Sequence, residues 1–525
     1  MASTKMLDCT LRDGGYCNQW RFGRNNISKI SEGLVESGID IIELGFITNK
    51  FKYDKDVSKY TTFAEAGNMI PEKRSGKTFV CMINYGEYRV EDIPDFDGSS
   101  VDGIRVAFHK KDMLPALEFC EDIQKKGYKV FIQAMVTLGY SDEEFLDLIR
   151  RVNQFEPYSF YIVDSFGVMK RKDLIRLFYM VEKNLSEGIA IGYHSHNNMQ
   201  LAYSNAQSLI DIRTKRDIII DSSVFGMGRG AGNLNTELFV EYLNDNIGTA
   251  YILKPLLTII DDILNDFYQQ NYWGYSLPNY LSAKHNAHPN YAGFLDAKKT
   301  LNVENMDEIF TMMDDDKKVS YEKQYIEDLY IRYMATGEAY EVHLTEVKEA
   351  IEGKAVLIIA PGISSLEEKE KIKAFIRQND VVSISINFDY SEHKTDYIFL
   401  SNLRRYKELN ESSKSRCIVT SNIPSMDVYV RTKYKELLNA HETVEDNAAM
   451  MLIKFLIKLK AAKIYIAGVD GYSADPTENF VNQSMNFYTK KMTFEAMNKG
   501  LNAALRDFSA DIDIEYLTTP RYVRI

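Results

Sequence analysis

Short apolar runs of strand length alternate with amphipathic stretches through the first half of the chain. The runs are KMLDCTLR, IDIIELGF, TFVCMINY, DGIRVAFH, KVFIQAMVTL, SFYIVDSFG, IAIGYHSH and RDIIIDSSVFG. Between them lie segments with apolar residues at helical spacing, such as ISKISEGLVESG, SDEEFLDLIRRVNQF and RKDLIRLFYMVEKNL. The two periods, near 2 and near 3.6, predict strands and helices in alternation. Eight such beats over residues 1–240 predict a (β/α)8 barrel in preference to an open doubly wound sheet. From 241 to 350 the pattern turns helical, as in ILKPLLTIIDDILNDFYQQNYWGY. A second α/β series starts at KAVLIIAPG and runs through DVVSISINF, TDYIFLSN, SRCIVTS and AAKIYIAGVDGY, predicting a smaller parallel-sheet domain over 351–525.

Composition narrows the classes of function. At 525 residues the chain is too long for one ordinary core, so two or more domains are expected. With 63 Lys and Arg against 75 Asp and Glu, the formal net charge is −12, and no long basic run offsets it. That balance argues against nucleic acid as a partner. MASTKMLDCT lacks the layout of a signal peptide, and no apolar run approaches a membrane span. Cys9, Cys17, Cys81, Cys120 and Cys417 show neither a disulfide framework nor CxxC spacing, so a reduced, cytoplasmic setting is expected.

In a barrel of this kind the C-terminal ends of the strands converge on one mouth. The first run ends in Arg12, Asp13, Gly14 and Gly15; the second brings Glu43, the fourth Arg105 and His109. The sixth brings Asp164 and Ser165, the seventh His194 and His196, and the eighth leads into GMGRGAGN, 226–233. Residues i and i+2 on a strand face the same way, so HSH aims two imidazoles at one point. Two neutral histidines and a carboxylate half-fill the coordination sphere of a divalent cation, and Asp13 is the natural anionic ligand.

TLRDGG, HSHNN and GMGRGAGN, in that order and on those strands, resemble the DRE-TIM metallolyases. That group holds hydroxymethylglutaryl-CoA lyase, the isopropylmalate and homocitrate synthases and 4-hydroxy-2-oxovalerate aldolase. The resemblance covers about the first 300 residues and is nearest to the 4-hydroxy-2-oxoacid aldolases, through HNNMQLAYSN and YWGYSLPNYL. It implies a divalent-metal-dependent aldolase, a carbon–carbon lyase acting next to a 2-oxoacid such as pyruvate, with an aldehyde as the other substrate. On that resemblance Asp13, His194 and His196 hold the metal and Asn233 coordinates or supports it. Arg12 stabilises the enolate oxygen, Tyr275 reaches over the substrate, and Ser165 helps to bind its carboxylate. Glu43 is expected to orient Arg12 and, with Arg105, completes the candidate substrate-binding set. A 2-oxoacid can chelate through its carboxylate and carbonyl oxygens, which suits Mn2+ or Mg2+. The two glycines after Asp13 are expected to let substrate come close.

Two positions depart from the pattern. The aldolases place a histidine three residues after the metal aspartate, as the base on the substrate hydroxyl; this chain has Tyr16. A phenol with a pKa near ~10 is a poor base at neutral pH, so either its surroundings tune Tyr16 or another group such as His109 serves. Arg229 stands where hydroxymethylglutaryl-CoA lyases carry a cysteine, which argues against that activity and leaves either contact with an anionic substrate or a solvated loop arginine. His285 and His288, in KHNAHPNY, match no second metal site and read as capping or structural residues. The alternatives are a Claisen-type acyl-CoA-dependent 2-oxoacid synthase, or a metal-binding scaffold with a glycosyltransferase-like C-terminal module.

VLIIAPGISSL, SINFDYSEHKTDYIFLSN and IYIAGVDGY resemble the Rossmann-like domains of bacterial sialyltransferases and motility accessory factors. That resemblance implies a nucleotide or phosphosugar near Gly362, Ser364, Asn387 and Asp470, and a role in carbohydrate or surface-polysaccharide metabolism. The helical region 241–350 is expected to cap the barrel site and, by analogy, to offer a homodimer contact.

Overall fold

The computed structural model of the chain describes residues 3–298, 301–335, 343–423, 428–485 and 491–524. It divides into two compact units, 1–294 with 313–321, and 295–312 with 322–525. In the first, eight parallel strands close into a barrel: β1 (Thr4–Asp8), β2 (Ile41–Ile47), β3 (Thr78–Asn84), β4 (Gly103–Phe108), β5 (Lys129–Ala134), β6 (Ser159–Asp164), β7 (Ala190–Ser195) and β8 (Ile218–Ser222). Closure comes from β1, which pairs with β8 from Thr4↔Ile218 to Asp8↔Ser222 and with β2 at Leu7↔Ile41. A two-residue strand, Lys59–Tyr60, adds to β2 beyond a register shift between Glu43 and Phe46.

Alternation along each strand separates two cores. Outward residues such as Met6, Ile104, Val106, Ile191, Tyr193, Ile218 and Ile220 pack with the surrounding helices. Inward residues, Leu7, Ile41, Val80, Phe131, Tyr161, Val163 and Ile219 among them, fill the barrel. This period of two also carries Arg105, His194 and Asp221 inward, so a barrel otherwise filled by apolar side chains has a polar layer built into it. Gly192 makes room in that layer: a Cβ there would fall 2.3 Å from the Tyr161 ring, over which Arg105 lies at 5.0 Å.

The helical region does not form the single block expected over 241–350. Its helices down to 294 belong with the barrel, and those at Val303–Thr311, Lys323–Met334 and Leu344–Ile351 belong with the second unit, 336–342 lying outside the described residues. Helical periodicity says which face is apolar, but not which core receives it.

In the second unit seven parallel strands, β9 (Ala355–Ile359), β10 (Val381–Ile386), β11 (Tyr397–Leu400), β12 (Cys417–Thr420), β13 (Val430–Thr432), β14 (Lys463–Ala467) and β15 (Asp513–Tyr516), lie in the order β13-β12-β11-β10-β9-β14-β15. This is a Rossmann-like sheet whose strand order reverses between β9 and β14. The sequence pattern misses β13 and β15, both short edge strands; β15 alternates exposed and half-buried residues and has no apolar run to announce it. Among the described residues no disulfide joins the cysteines, and no helix is long and apolar enough to cross a membrane.

Candidate metal centre

Arg12 and Asp13 do not sit at the strand tip itself. β1 ends at Asp8, and a tight turn follows in which the Arg12 and Asp13 N–H groups both donate to Cys9 O (3.1 and 2.8 Å). A short helix, Gly15–Asn18, comes next. The two glycines after Asp13 are closely packed. A Cβ at Gly15 would fall 2.0 Å from the Trp20 ring, and one at Gly14 would fall 2.3 Å from Thr10 O. From β7 come His194 and, one residue past the strand, His196, which bridges to Asn233 of the glycine-rich loop. Asp13, His194 and His196 are all buried, and one ligand atom of each lies within 4.8 Å of the others.

The surrounding bonds decide which atoms stay free. Asp221 Oδ2 accepts from His194 Nδ1 at 3.0 Å, so the lone pair of the neutral ring lies on Nε2. Asn233 Nδ2 donates to Asp13 Oδ2 at 2.6 Å, and Gly228 backs this pair closely enough that a Cβ would fall 2.3 Å from Asn233 Nδ2. Asn233 Oδ1 and His196 Nδ1 are buried without a hydrogen-bond partner. The buried charges beneath do not cancel. Arg12 binds Asp13 (2.6 Å) and Glu43 (3.0 Å); Arg105 binds Glu43 (2.6 Å) and Asp221. Within this hydrogen-bonded network three carboxylates face two guanidiniums, so the network keeps a net negative charge that would draw a divalent cation, with Arg229 acting on Asp13 from outside it. Donor types, free lone pairs and charge all fit such an ion.

Burial alone would raise the Asp13 carboxyl, but Arg12, the two histidines and Arg229 hold it well below the usual carboxylate range. Burial, against the opposing pull of Asp13, brings His196 down to about 3. The sign of its linkage follows. In the unfolded chain the ring takes a proton near ~6.5, so between those values the unfolded state binds more protons and stability falls as pH drops. In metal-free protein the stability advantage of wild type over His196→Gln should therefore shrink between pH 7 and pH 4.5, read from urea midpoints. A difference independent of pH would refute this assignment.

Glu43 and Arg105, expected in the substrate-binding set, are both 0% exposed and bind each other, Arg12 and Asp221, which places them beneath the ligands; Glu43 Oε1 and Arg105 Nε have no hydrogen-bond partner. Asp221 itself escapes the sequence reading, although a carboxylate inside the apolar run IIIDSS was a visible signal. Ser165 does stand at the mouth: its Oγ accepts from Val136 N–H (2.9 Å) and its carbonyl accepts from Arg229 Nη2 (3.2 Å). Val136 has φ +54°, a costly conformation for a β-branched residue, at the end of β5. Desolvation at the mouth keeps the Tyr16 phenol above its ordinary value against the pull of Arg229, whose guanidinium lies 5.3 Å over its ring, although Tyr16 is 39% exposed. Burial, then Lys111, lowers His109. Tyr275 is 57% exposed and stands outside the buried cluster. Trp273 occupies the inner position of that segment, its Nε1 donating to Phe225 O at 2.9 Å.

In the second unit, Ser364 and Asp470 satisfy each other. Asp470 accepts from the Ser364 N–H (2.8 Å) and Oγ (2.5 Å), so a carboxylate occupies the place expected for a phosphate beside Gly362. Asn387, at φ +63°, lines a cleft of about 380 Å³ together with Asp389, Glu392, Arg405 and Glu408. Each carboxylate there has its own cation, Asp389 pairing with Arg416, Glu392 with Lys369 and Lys373, and Glu408 with Arg405.

Fold and centre together define a (β/α)8 barrel with a buried Asp–His–His cluster that could hold a metal ion. Residues 110–260 match the HMGL-like family model. The chain is 26% identical over 242 residues to an oxaloacetate decarboxylase from Mycobacterium tuberculosis, covering 45% of this chain and 69% of that one. It is 26% identical over 262 residues to a 4-hydroxy-2-oxovalerate aldolase from Pseudoalteromonas translucida, covering 49% and 74%. Among solved structures, the N-terminal domain of a presumed aldolase from Bacteroides vulgatus is 29% identical with a TM-score of 0.49, over 56% of this chain and 96% of that one.

Proposed function

We propose that this protein is a divalent-metal-dependent lyase that makes or breaks a carbon–carbon bond next to a 2-oxoacid through a pyruvate-type enolate. One observation carries the reading. Arg12 spends Nε on Glu43 and Nη1 on Asp13, while Nη2, buried beside the Asp13–His194–His196 cluster, has no hydrogen-bond partner. A fixed, charged donor left open beside a cation site is what a developing enolate oxygen needs. A cation such as Mn2+ or Mg2+, held by Asp13, His194 and His196 with Asn233 beside it, would supply Lewis-acid polarisation to the chelating oxygens. The names of the two relatives support the same chemistry: oxaloacetate decarboxylation and 4-hydroxy-2-oxovalerate cleavage both break the bond beyond C3 of a 2-oxoacid and leave an enolate. Ser165, at the mouth, suits the substrate carboxylate. His109, which burial keeps neutral, is better suited than the raised phenol of Tyr16 to accept the proton of a substrate hydroxyl.

The test asks for half of the reaction, since the second substrate is not needed. With Mn2+ and pyruvate in D2O, the methyl proton signal should decay and a chelator should stop the decay. Absence of exchange with metal demonstrably bound would refute pyruvate enolisation.

A further inference from the structure

Arg229 occupies the glycine-rich loop between Gly228, which backs the Asp13–Asn233 pair, and Gly230, where a Cβ would fall 2.8 Å from Asn198 Oδ1. The loop is thus held tightly on both sides, and the guanidinium is delivered to a defined place. Its field reaches Asp13, His196, Tyr16, His109 and His288, which surround the barrel mouth. Yet it has no carboxylate partner among the described residues. Nη2 donates to Ser165 O, the plane lies over Tyr16, and Nε is buried with no hydrogen-bond partner.

The remaining neighbour is His288. Its Nδ1 lies 3.2 Å from Asn290 N–H and its Nε2 lies 3.2 Å from Arg229 Nη1. A neutral imidazole has a single lone pair and accepts from only one of them. One of these donors is therefore left unmet whichever tautomer forms, and so is Nε of the guanidinium. An acceptor bearing negative charge is the group that would satisfy them.

We propose that Arg229 and His288 form an oxyanion subsite at the barrel mouth, so that the substrate carries a second carboxylate or phosphate in addition to the carboxylate beside its carbonyl. This deepens the 2-oxoacid reading and rests on it for the first carboxylate. The subsite makes Arg229 a specificity residue: monoanionic 2-oxoacids leave its donors unmet, and dianionic ones fill them. His288, read from the sequence as structural, stands beside it and donates from Nε2 when the ring proton lies there.

Calorimetric titration of Mn2+-loaded protein tests this with three acids matched in length: 2-oxovalerate, 2-oxoglutarate and 2-oxo-4-phosphonobutyrate. At least one dianion should bind about tenfold or more tighter than 2-oxovalerate, and whichever it is distinguishes carboxylate from phosphate. That ratio should fall to near one in Arg229→Met and take an intermediate value in Arg229→Lys, which keeps the charge and loses the fork. Inorganic sulfate, titrated into the same proteins, should bind wild type and lose its affinity in Arg229→Met. Equal affinities for all three acids in wild type, or a ratio unchanged by Arg229→Met, would overturn the subsite while leaving the 2-oxoacid reading intact. Sulfate binding that depends on Arg229, with no metal-dependent binding of any acid, would keep the subsite and overturn the 2-oxoacid reading.

Discussion

Arg12→Ala is expected to slow the Mn2+-dependent exchange of pyruvate methyl protons by about a hundredfold or more, the usual loss when one preorganised donor to a developing oxyanion is removed. The reason lies in how the side chain is held. Glu43 grips Nε and Asp13 grips Nη1, so the remaining nitrogen is aimed without any cost of reorganisation when charge develops. Arg12→Lys should recover little, because a single ammonium cannot meet two carboxylates and a substrate oxygen at once. Metal affinity gives the second readout. Asp13 loses a cationic neighbour in Arg12→Ala, which leaves its carboxylate freer to bind Mn2+, so bound metal measured by electron paramagnetic resonance should persist while exchange is lost. An exchange rate within about threefold of wild type, with metal bound, would remove Arg12 from the enolate chemistry.

Arg105→Met is expected to cost about 3–5 kcal/mol of stability in the barrel unit, because it strands Glu43 and Asp221 as buried carboxylates without their shared cation. Arg105 is entirely enclosed, with Tyr161 beneath it, so water cannot replace it. The effect should reach the metal as well. Asp221 orients His194 through Nδ1, and disturbing such a partner usually weakens metal binding by about 10–100-fold. Urea unfolding followed through Mn2+ release reads the barrel rather than the whole chain. Combining Arg105→Met with Asp221→Asn should recover part of the loss, since one stranded charge is then gone. A midpoint unchanged by Arg105→Met would show that the network beneath the metal centre contributes nothing to folding.

The gathering of Asp13 with His194 and His196 was legible because the two histidines follow a local rule and Asp13 lies just past the first strand. HSH places two imidazoles on one side of a strand by period two alone, and the eight alternating runs specify the barrel that turns this side inward. Glu43 beside Arg12 followed from the same listing of strand ends. What stayed hidden depends on distance along the chain. Asp221 reads as a stray polar residue in an apolar strand until β8 closes on β1 and Arg105 arrives from β4 to pair with it. Tyr275 looked as apt a lid as any aromatic in its segment until Trp273 took the inward place. The division of the helices between the two units, and the pairing of Arg229 with His288, likewise needed the third dimension.

The sequence by itself determined the period of each element, the barrel and sheet those periods build, and the two imidazoles that share a face. Only the tertiary structure decided which charges neutralise one another and which donors remain open. Periodicity is a property of neighbours in the chain, whereas the strength of an ion pair or the cost of an unmet donor depends on burial, and burial is settled by residues far apart in the chain, such as Asp13 and Asn233, 220 positions apart.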